Sequence, residues 1–219
     1  MAKSLIDDVA VTASCMIKTG TTFATIYGCN AQQERKIRES LQKAGDSVQH
    51  PLLVFGMLAE IERDCLMNRV EQLLDKFVHR TESLRNDTRD RANILNSKGE
   101  KPADILDLYD DSRDLVKLFQ EVKTKLSKII DHIEDIPSIF ERRCCQMMSG
   151  RTNNKESTGR NSKKRRLIQT GLRIRERLLE IMEEYDSKIE DCRTVLQDLT
   201  VTTQIVSAAT DVWIDMLII

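Results

Sequence analysis

The sequence predicts a predominantly α-helical α+β protein, in which an N-terminal β-hairpin precedes long antiparallel helices and a long, stalk-like C-terminal helix. The composition is the first reason: 219 residues include three prolines, eight glycines and 4% aromatic residues, so helix breakers and strand-favouring rings are both scarce. The second reason is that apolar residues recur at spacings of three and four along three long stretches, which is the period of a buried helix face.

The hairpin is predicted by residues 9–29. In VAVTASCMI the odd-numbered side chains are mostly apolar and alternate with smaller or polar ones, as in a half-buried strand. The residues Lys18-Thr19-Gly20 suit a turn, and TTFATIYGC is rich in strand-favouring residues. Because two strands alone are marginal in water, we expect helices to cover the hairpin or further strands to complete it.

Two helices follow the hairpin. Asn30 and Gln33 fit a capping box, which predicts a helix that starts there and stops near Gly45. Pro51 suits the first turn of the next helix, which carries an apolar cluster at its start and reaches about Leu84. We expect that cluster to be core, packed near the hairpin, and residues 85–101 to form a loop.

The third helix begins at Pro102, and Pro137 is expected to break or kink it. Its predicted seam is Leu115, Leu118, Val122, Leu126, Ile129, Ile133 and Ile136. The last helix begins near Lys164, with its apolar stripe at Ile168, Leu172, Leu179, Met182, Tyr185, Ile189, Cys192, Leu196 and Leu199. The predicted organisation is therefore a mixed body over 1–148, a flexible loop over 149–163 and a helix over 164–219, together one domain.

Four acidic residues early in the third helix are the candidate metal ligands. Their spacings of three, four and three place Asp104, Asp107, Asp111 and Asp114 on one helix face. Mg²⁺ prefers oxygen ligands and keeps most of its waters, so this stripe could form a weak regulatory site. The alternative is a solvated acidic face favoured by the helix dipole, and the sequence favours that alternative.

Other features argue against catalysis and nucleic-acid binding. The six cysteines and three histidines are scattered, and no nucleophile, phosphate-loop or zinc motif is present, so we expect no enzyme and a reducing compartment. The run from Lys163 to Arg166 suits a nuclear import signal or a phosphate contact, but it equally suits the solvent-exposed start of a helix. With a net charge of −1 and no interleaved aromatic residues, nucleic-acid binding is not expected.

The last eight residues, 212–219, are apolar apart from Asp215 and include Trp213. They are too short to span a bilayer, which takes about 20 apolar residues. We expect this stretch to pack or to support oligomerisation, with peripheral membrane contact as the alternative.

Three stretches together resemble the soluble region of fungal CorA-like magnesium transporters. They are YGCNAQQERKIRESL, HPLLVFGMLAEIERDCLMNRVEQLL and LRIRERLLEIMEEYDSKIEDCRTVLQDLTVTTQ, and the resemblance covers most of residues 25–205. In that family an α/β cytoplasmic domain feeds a stalk helix that enters a pentameric pore, so the resemblance implies that the helix from about residue 164 is the stalk. The Gly-Met-Asn pore signature and the spans are not in this sequence, so conduction by this chain alone is not expected.

The function expected from these features is a non-catalytic cytoplasmic regulatory or oligomerisation domain, related to CorA-like transporters but not itself a pore. It would lie in the cytoplasm, at the inner face of a membrane, and contact its own copies or related transporter subunits. The predicted interaction residues are Ile168, Leu179, Met182, Tyr185, Ile189, Leu196 and Trp213. The alternative is a free-standing helical protein-interaction module with no ion role.

Overall fold

The computed structural model describes residues 9–16, 21–89, 102–147 and 157–217. Within these ranges the chain forms a two-stranded antiparallel sheet, four α-helices and one short 3₁₀ helix, which confirms the predominantly α-helical α+β class. The strands are β1 (Ala10–Met16) and β2 (Thr21–Tyr27), and the helices are α1 (Ala31–Lys43), α2 (Leu53–Arg89), α3 (Pro102–Met147) and α4 (Ser157–Leu217). The 3₁₀ helix, Gly45–Gln49, joins α1 to the turn before α2.

The hairpin follows the predicted alternation. Ala13 of β1 lies opposite Ala24 of β2, and the odd-numbered side chains of β1 are half-buried. The other face leaves large apolar side chains in solvent, with Phe23 58% and Tyr27 63% exposed. The Thr22 hydroxyl donates a hydrogen bond of 3.0 Å to the carbonyl oxygen of Gln49, so the 3₁₀ helix is attached to β2.

The start of α1 has the predicted capping box. The Asn30 side-chain oxygen accepts from the backbone N–H groups of Gln32 and Gln33 at 3.0 and 2.9 Å. The Gln33 side chain accepts in return from the Asn30 backbone N–H at 2.9 Å. These bonds satisfy donors that the first turn of a helix leaves without partners, so the sequence fixes this helix start closely.

The long helices differ from the prediction at their ends. Pro51 lies in a turn, and α2 begins at Leu53 and continues to Arg89, past the predicted end at Leu84. The first part of the predicted loop, 85–89, is therefore helical, and 90–101 lie outside the described residues. These residues lack an apolar period. Arg85 and Arg89 are good helix formers, and Asn86, Asp87 and Thr88 each cost no more than about 0.7 kcal/mol relative to alanine, so α2 can continue through them.

Pro137 does not end α3, which runs through it to Met147. The expected break is therefore wrong. Pro137 cannot donate a hydrogen bond to the Ile133 carbonyl oxygen, but the buried side chains of Ile130 and Ile133 anchor the turn before it, so the helix continues with one hydrogen bond fewer. The expected kink stays a prediction. The helix α4 begins at Ser157, so residues 157–163 of the predicted flexible loop are helical. The remainder, 149–156, lies outside the described residues.

The packing groups the chain into two compact units. Unit 1 comprises Met1–Asp64 and Lys123–Glu183, and unit 2 comprises Cys65–Val122 and Glu184–Ile219. Both α2 and α4 pass from unit 1 into unit 2 along the chain, whereas α3 passes from unit 2 into unit 1.

Each unit has an apolar core supplied by the same three helices. In unit 1 the buried side chains include Val54, Ala59, Leu126, Ile130, Ile133, Ile174, Leu178 and Ile181. In unit 2 they include Leu66, Val70, Leu73, Leu115, Val122, Ile189, Cys192, Val195 and Leu199. Unit 2 also contains a buried aromatic pair, Phe119 and Tyr185, whose ring centroids lie 5.0 Å apart at an interplanar angle of 53°.

The seam of α3 differs from the prediction by one residue at two points. Phe119 and Ile130 are buried, whereas the predicted Leu118 and Ile129 are only half-buried. In each case two apolar residues are adjacent in the sequence, so steps of three and four fit either one. The predicted positions Leu115, Val122, Leu126 and Ile133 are buried as expected, whereas the predicted Ile136 is only half-buried.

Candidate interaction surface

The side of α4 that is buried in unit 1 is not the predicted stripe. Ile174, Leu178 and Ile181 fill the core, with exposures of 8%, 1% and 0%. The predicted interaction residues Ile168, Leu179 and Met182 are half-buried. Sequence reasoning missed the true core positions because Leu178 and Leu179, like Ile181 and Met182, are neighbours and fit the same helical period.

The predicted stripe agrees better with the structure in unit 2. Tyr185 and Ile189 are buried in the core of unit 2, at 0% and 5% exposure. Leu196 is half-buried. Trp213 lies in α4, but its side chain is outside the described part of the chain.

We define the outer stripe of α4 as Ile168, Leu172, Arg175, Leu179 and Met182. These residues follow spacings of four, three, four and three, so they form a second row beside the buried one. Leu172 is 49% exposed, and the other four are half-buried. The outer stripe is therefore an apolar surface, interrupted by one arginine, on a helix whose opposite side is packed.

The N-terminal part of the outer stripe, from Ile168 to Arg175, borders a groove between α3 and α4. The groove has a volume of about 180 Å³. Its lining is mainly apolar and is supplied by Ile133, Ile136, Pro137, Leu167, Ile168, Gly171 and Leu172, with His50, Glu134 and Arg175 as the polar members. A second groove of about 220 Å³ lies between α2 and α4 and includes Gly56, Met57 and Ile174.

His50 closes the inner side of the first groove. Its side chain is 2% exposed, and its Nδ1 atom accepts a hydrogen bond of 3.2 Å from the Leu52 backbone N–H. Burial lowers the pKa of His50 to about 4, so the imidazole is neutral at physiological pH. The residue acts as a cap for the turn before α2 and as packing against Gly171 of α4.

Ion pairs fix α4 against its neighbours in unit 1. The Arg177 guanidinium makes two hydrogen bonds to the Glu60 carboxylate of α2, the Nη2–Oε2 one at 2.9 Å, and Nη1 donates to Glu180 at 2.7 Å. Arg175 Nε donates to Glu134 of α3 at 3.1 Å. These pairs are partly exposed, so each contributes only a fraction of a kcal/mol to about 1 kcal/mol, but the two-bond geometry sets the orientation of α4.

The described carboxylates of the predicted stripe lie on an exposed face of α3. Asp107, Asp111 and Asp114 are exposed, and Asp111 pairs with Lys76 at 3.5 Å. Asp104 lies in α3, but its side chain is outside the described part of the chain. Among the residues that are described, no three or more His, Cys, Asp or Glu side chains lie together in a way that could hold a metal ion.

The structure also places the basic run and four of the cysteines. The basic run from Lys163 to Arg166 lies within α4, where Arg165 and Arg166 are exposed and Lys164 is half-buried. Cys15, Cys29, Cys65 and Cys192 are free thiols. None of the helices in the described ranges is long and apolar enough to cross a membrane.

Comparison with known proteins adds no relative: no family model, curated protein or solved structure matches this chain. The candidate site therefore depends on the geometry of unit 1 alone. In unit 1, α4 is held by core packing on one side and by ion pairs to α2 and α3. Its outer stripe is left partly in solvent.

Proposed function

We propose that this chain is a non-catalytic regulatory or oligomerisation domain, related to the cytoplasmic region of CorA-like magnesium transporters and not itself a pore. The observation that carries the proposal is the outer stripe of α4. A row of apolar residues at alternating spacings of three and four is what a helix uses to pack against another helix, and in unit 1 this row is left partly in solvent.

The length of α4 supports the stalk role that the resemblance implies. The helix has 61 residues, or about 90 Å at 1.5 Å per residue. A helix of this length can present a packing surface to neighbouring copies and transmit a change of state along its axis. In the proposed assembly the partners are other copies of this chain or related transporter subunits, in the cytoplasm at the inner face of a membrane.

Magnesium enters the proposal as a weak regulator. The exposed carboxylates of Asp107, Asp111 and Asp114, with Asp104 in the same helix, provide oxygen ligands of the type Mg²⁺ prefers. Since Mg²⁺ retains most of its waters and takes one or two carboxylates, these residues would bias an assembly rather than hold the ion in a closed site.

The test is the mass of the purified chain by light scattering, over a range of concentrations, with and without millimolar Mg²⁺. We expect a mass above that of the monomer for the natural sequence and a monomer for Leu172→Glu. Val201→Glu is the matched control, because Val201 is on the same helix and is 48% exposed against 49% for Leu172. A natural chain that stays monomeric at every concentration, with or without Mg²⁺, would overturn the proposal.

The second candidate function is a free-standing helical interaction module with no ion role. It is favoured by the surroundings of Asp107, Asp111 and Asp114, which are exposed to solvent, with Asp111 already paired with Lys76 at 3.5 Å. The same experiment separates the two candidates. Assembly that is identical with Mg²⁺ and with a chelator supports the ion-free module, whereas an assembly that changes with Mg²⁺ supports the transporter-related domain.

A further inference from the structure

We propose that copies of this chain join by inserting the Phe23 side chain of one copy into the groove between α3 and α4 of the next. This inference rests on the proposed function and adds to it the inserted residue, the site that receives it and the direction of the assembly. Both surfaces belong to unit 1. The contact is heterologous, because each of the two copies contributes a different surface to it.

The outer face of the hairpin is apolar and uncharged. Neither β1 nor β2 contains a charged residue, although 32% of the chain is charged. Phe23 is 58% exposed on this face and lies opposite the small residue Ser14. Tyr27 is also exposed and lies opposite Ala10. Because their cross-strand neighbours are small, both rings project from the sheet into solvent.

Phe23 faces away from the part of its own chain that borders the groove. The Thr22 hydroxyl donates to the carbonyl oxygen of Gln49, and the next residue, His50, lines the groove. Successive side chains of a strand point to opposite faces, so Phe23 points away from this attachment. The ring is therefore directed at another molecule.

The groove matches one aromatic ring in size and in chemistry. Its volume is about 180 Å³, and an apolar cavity of about 150 Å³ is large enough to bind benzene. Its two charged lining residues, Glu134 and Arg175, pair with each other at 3.1 Å. An ionic ligand would therefore find no unpaired charge among the lining residues, whereas a phenyl ring has no polar group to desolvate.

A second copy is the occupant because this chain itself supplies an exposed, uncharged aromatic side chain of the right size. A heterologous contact repeats from copy to copy, and where the rotation closes it forms a ring. In such a ring the α4 helices of all copies point in the same direction along the axis. That arrangement agrees with the stalk role proposed for α4.

Complementation between two defective variants tests the contact. Phe23→Ser keeps the groove and loses the ring, whereas Leu172→Glu keeps the ring and places a charge at the groove. At concentrations just above the natural dissociation constant, we expect each variant alone to be a monomer by light scattering. Phe23→Ser should weaken assembly by about thirtyfold, as the loss of a central aromatic anchor does.

An equimolar mixture of the two variants should form a dimer and nothing larger. The ring of the Leu172→Glu copy can enter the groove of the Phe23→Ser copy, and no further contact of this kind is then possible. The matched control is Tyr109→Ser, which removes an exposed aromatic side chain from unit 2 and should assemble normally. Natural assembly by Phe23→Ser, or a mixture of helical variants that stays monomeric, would overturn the inference.

Photo-crosslinking locates the receiving site without removing the ring. Phe23 is replaced by a phenylalanine analogue that carries a small diazirine, and these copies are mixed with copies of the natural sequence labelled with heavy isotopes. After irradiation we expect links from position 23 to heavy peptides that contain residues 133–139 or 167–175. Links within one copy, links to other surfaces or no link in an assembled sample would contradict the insertion.

These outcomes also separate the inference from the proposed function. If light scattering detects an assembly that Phe23→Ser leaves unchanged, the insertion is wrong and the oligomerisation role stands. If the natural chain is a monomer throughout, with its helical circular dichroism intact, both are wrong.

Discussion

His50 Nε2 lies 3.1 Å from the point at which a Cβ atom on Gly171 would sit. The imidazole of His50 therefore occupies the space that a side chain at this position of α4 would take. Because His50 belongs to the turn before α2, this contact brings that turn against α4 within unit 1. A neutral buried ring on one side and a glycine on the other make a contact that is sensitive both to pH and to substitution.

The buried His50 should make stability depend on pH. Its pKa is lowered to about 4 in the folded protein, and it returns to about 6.5 when the chain unfolds. As the pH falls from about 6.5 to about 4, the unfolded state gains a proton that the folded state does not bind. The free energy of unfolding should therefore decrease over this window, by about 3 kcal/mol in total for this group.

Urea denaturation at a series of pH values measures this effect. His79 and His132 are exposed, so His79→Gln and His132→Gln serve as matched controls that should keep the slope. His50→Asn should flatten the curve between about pH 6.5 and 4, although it is expected to be less stable at pH 7 because it packs less well. A His50→Asn protein with the natural slope would contradict the assignment.

Gly171→Ala and Gly56→Ala should differ in stability. Alanine in a helix interior is favoured over glycine by about 1 kcal/mol. A Cβ atom at 171 would meet His50 Nε2 at 3.1 Å and Ile133 Cγ2 at 3.3 Å, whereas one at 56 meets only Ile174 Cγ2 at 3.4 Å. We expect Gly56→Ala to be neutral or stabilising and Gly171→Ala to be less stable than it by about 1–2 kcal/mol. Thermal melting of the two variants would decide, and equal gains would show that His50 moves aside freely.

Ser112 gives a prediction in unit 2. Its side chain is 0% exposed, and its hydroxyl oxygen has no hydrogen-bond partner among the described residues. Burying an unsatisfied hydroxyl costs about 1–3 kcal/mol, so Ser112→Ala should raise the free energy of unfolding by about 1 kcal/mol. Ser127→Ala is the control, because Ser127 is exposed on the same helix and shares only the small gain in helix propensity. Equal effects in urea denaturation would argue against a desolvation cost at Ser112.

The start of α1 and the hairpin could be predicted because they depend on local chemistry. The capping box of Asn30 and Gln33 and the strand alternation of β1 involve residues close in sequence. The face of α4 could not be predicted in the same way. Leu178 and Leu179 are the same type of residue and differ in burial only because they point in different directions from the helix axis. Which of them faces the core depends on where α2 and α3 pack.

The His50–Gly171 contact was hidden for a similar reason. An isolated histidine and an isolated glycine more than a hundred residues apart give no joint signal in one sequence. The pair becomes visible only when the turn before α2 is placed against α4. The four aspartates show the opposite case, because their helical spacing is visible in the sequence. The three whose side chains are described nevertheless face solvent.

Two cysteines of unit 2 should differ strongly in reactivity. Cys65 is exposed, whereas Cys192 is 0% exposed. Burial, reinforced by Asp191 and opposed by Lys188, raises the pKa of the Cys192 thiol to about 11. Because only the thiolate is alkylated, Cys192 should react at least about a hundredfold more slowly than an accessible thiol at pH 8.

Iodoacetamide labelling followed by peptide mass spectrometry gives the two rates in one experiment. In denaturant the two cysteines should react at similar rates, which controls for their local sequences. In the native protein Cys65 should be labelled within minutes, while Cys192 is labelled only as unit 2 opens. The slow rate then reports the free energy of that opening, and Leu199→Ala, which removes a buried side chain from the same core, should accelerate labelling of Cys192 but not of Cys65. Rapid labelling of Cys192 in the natural protein would mean that the packing around α4 in unit 2 is not stable in solution.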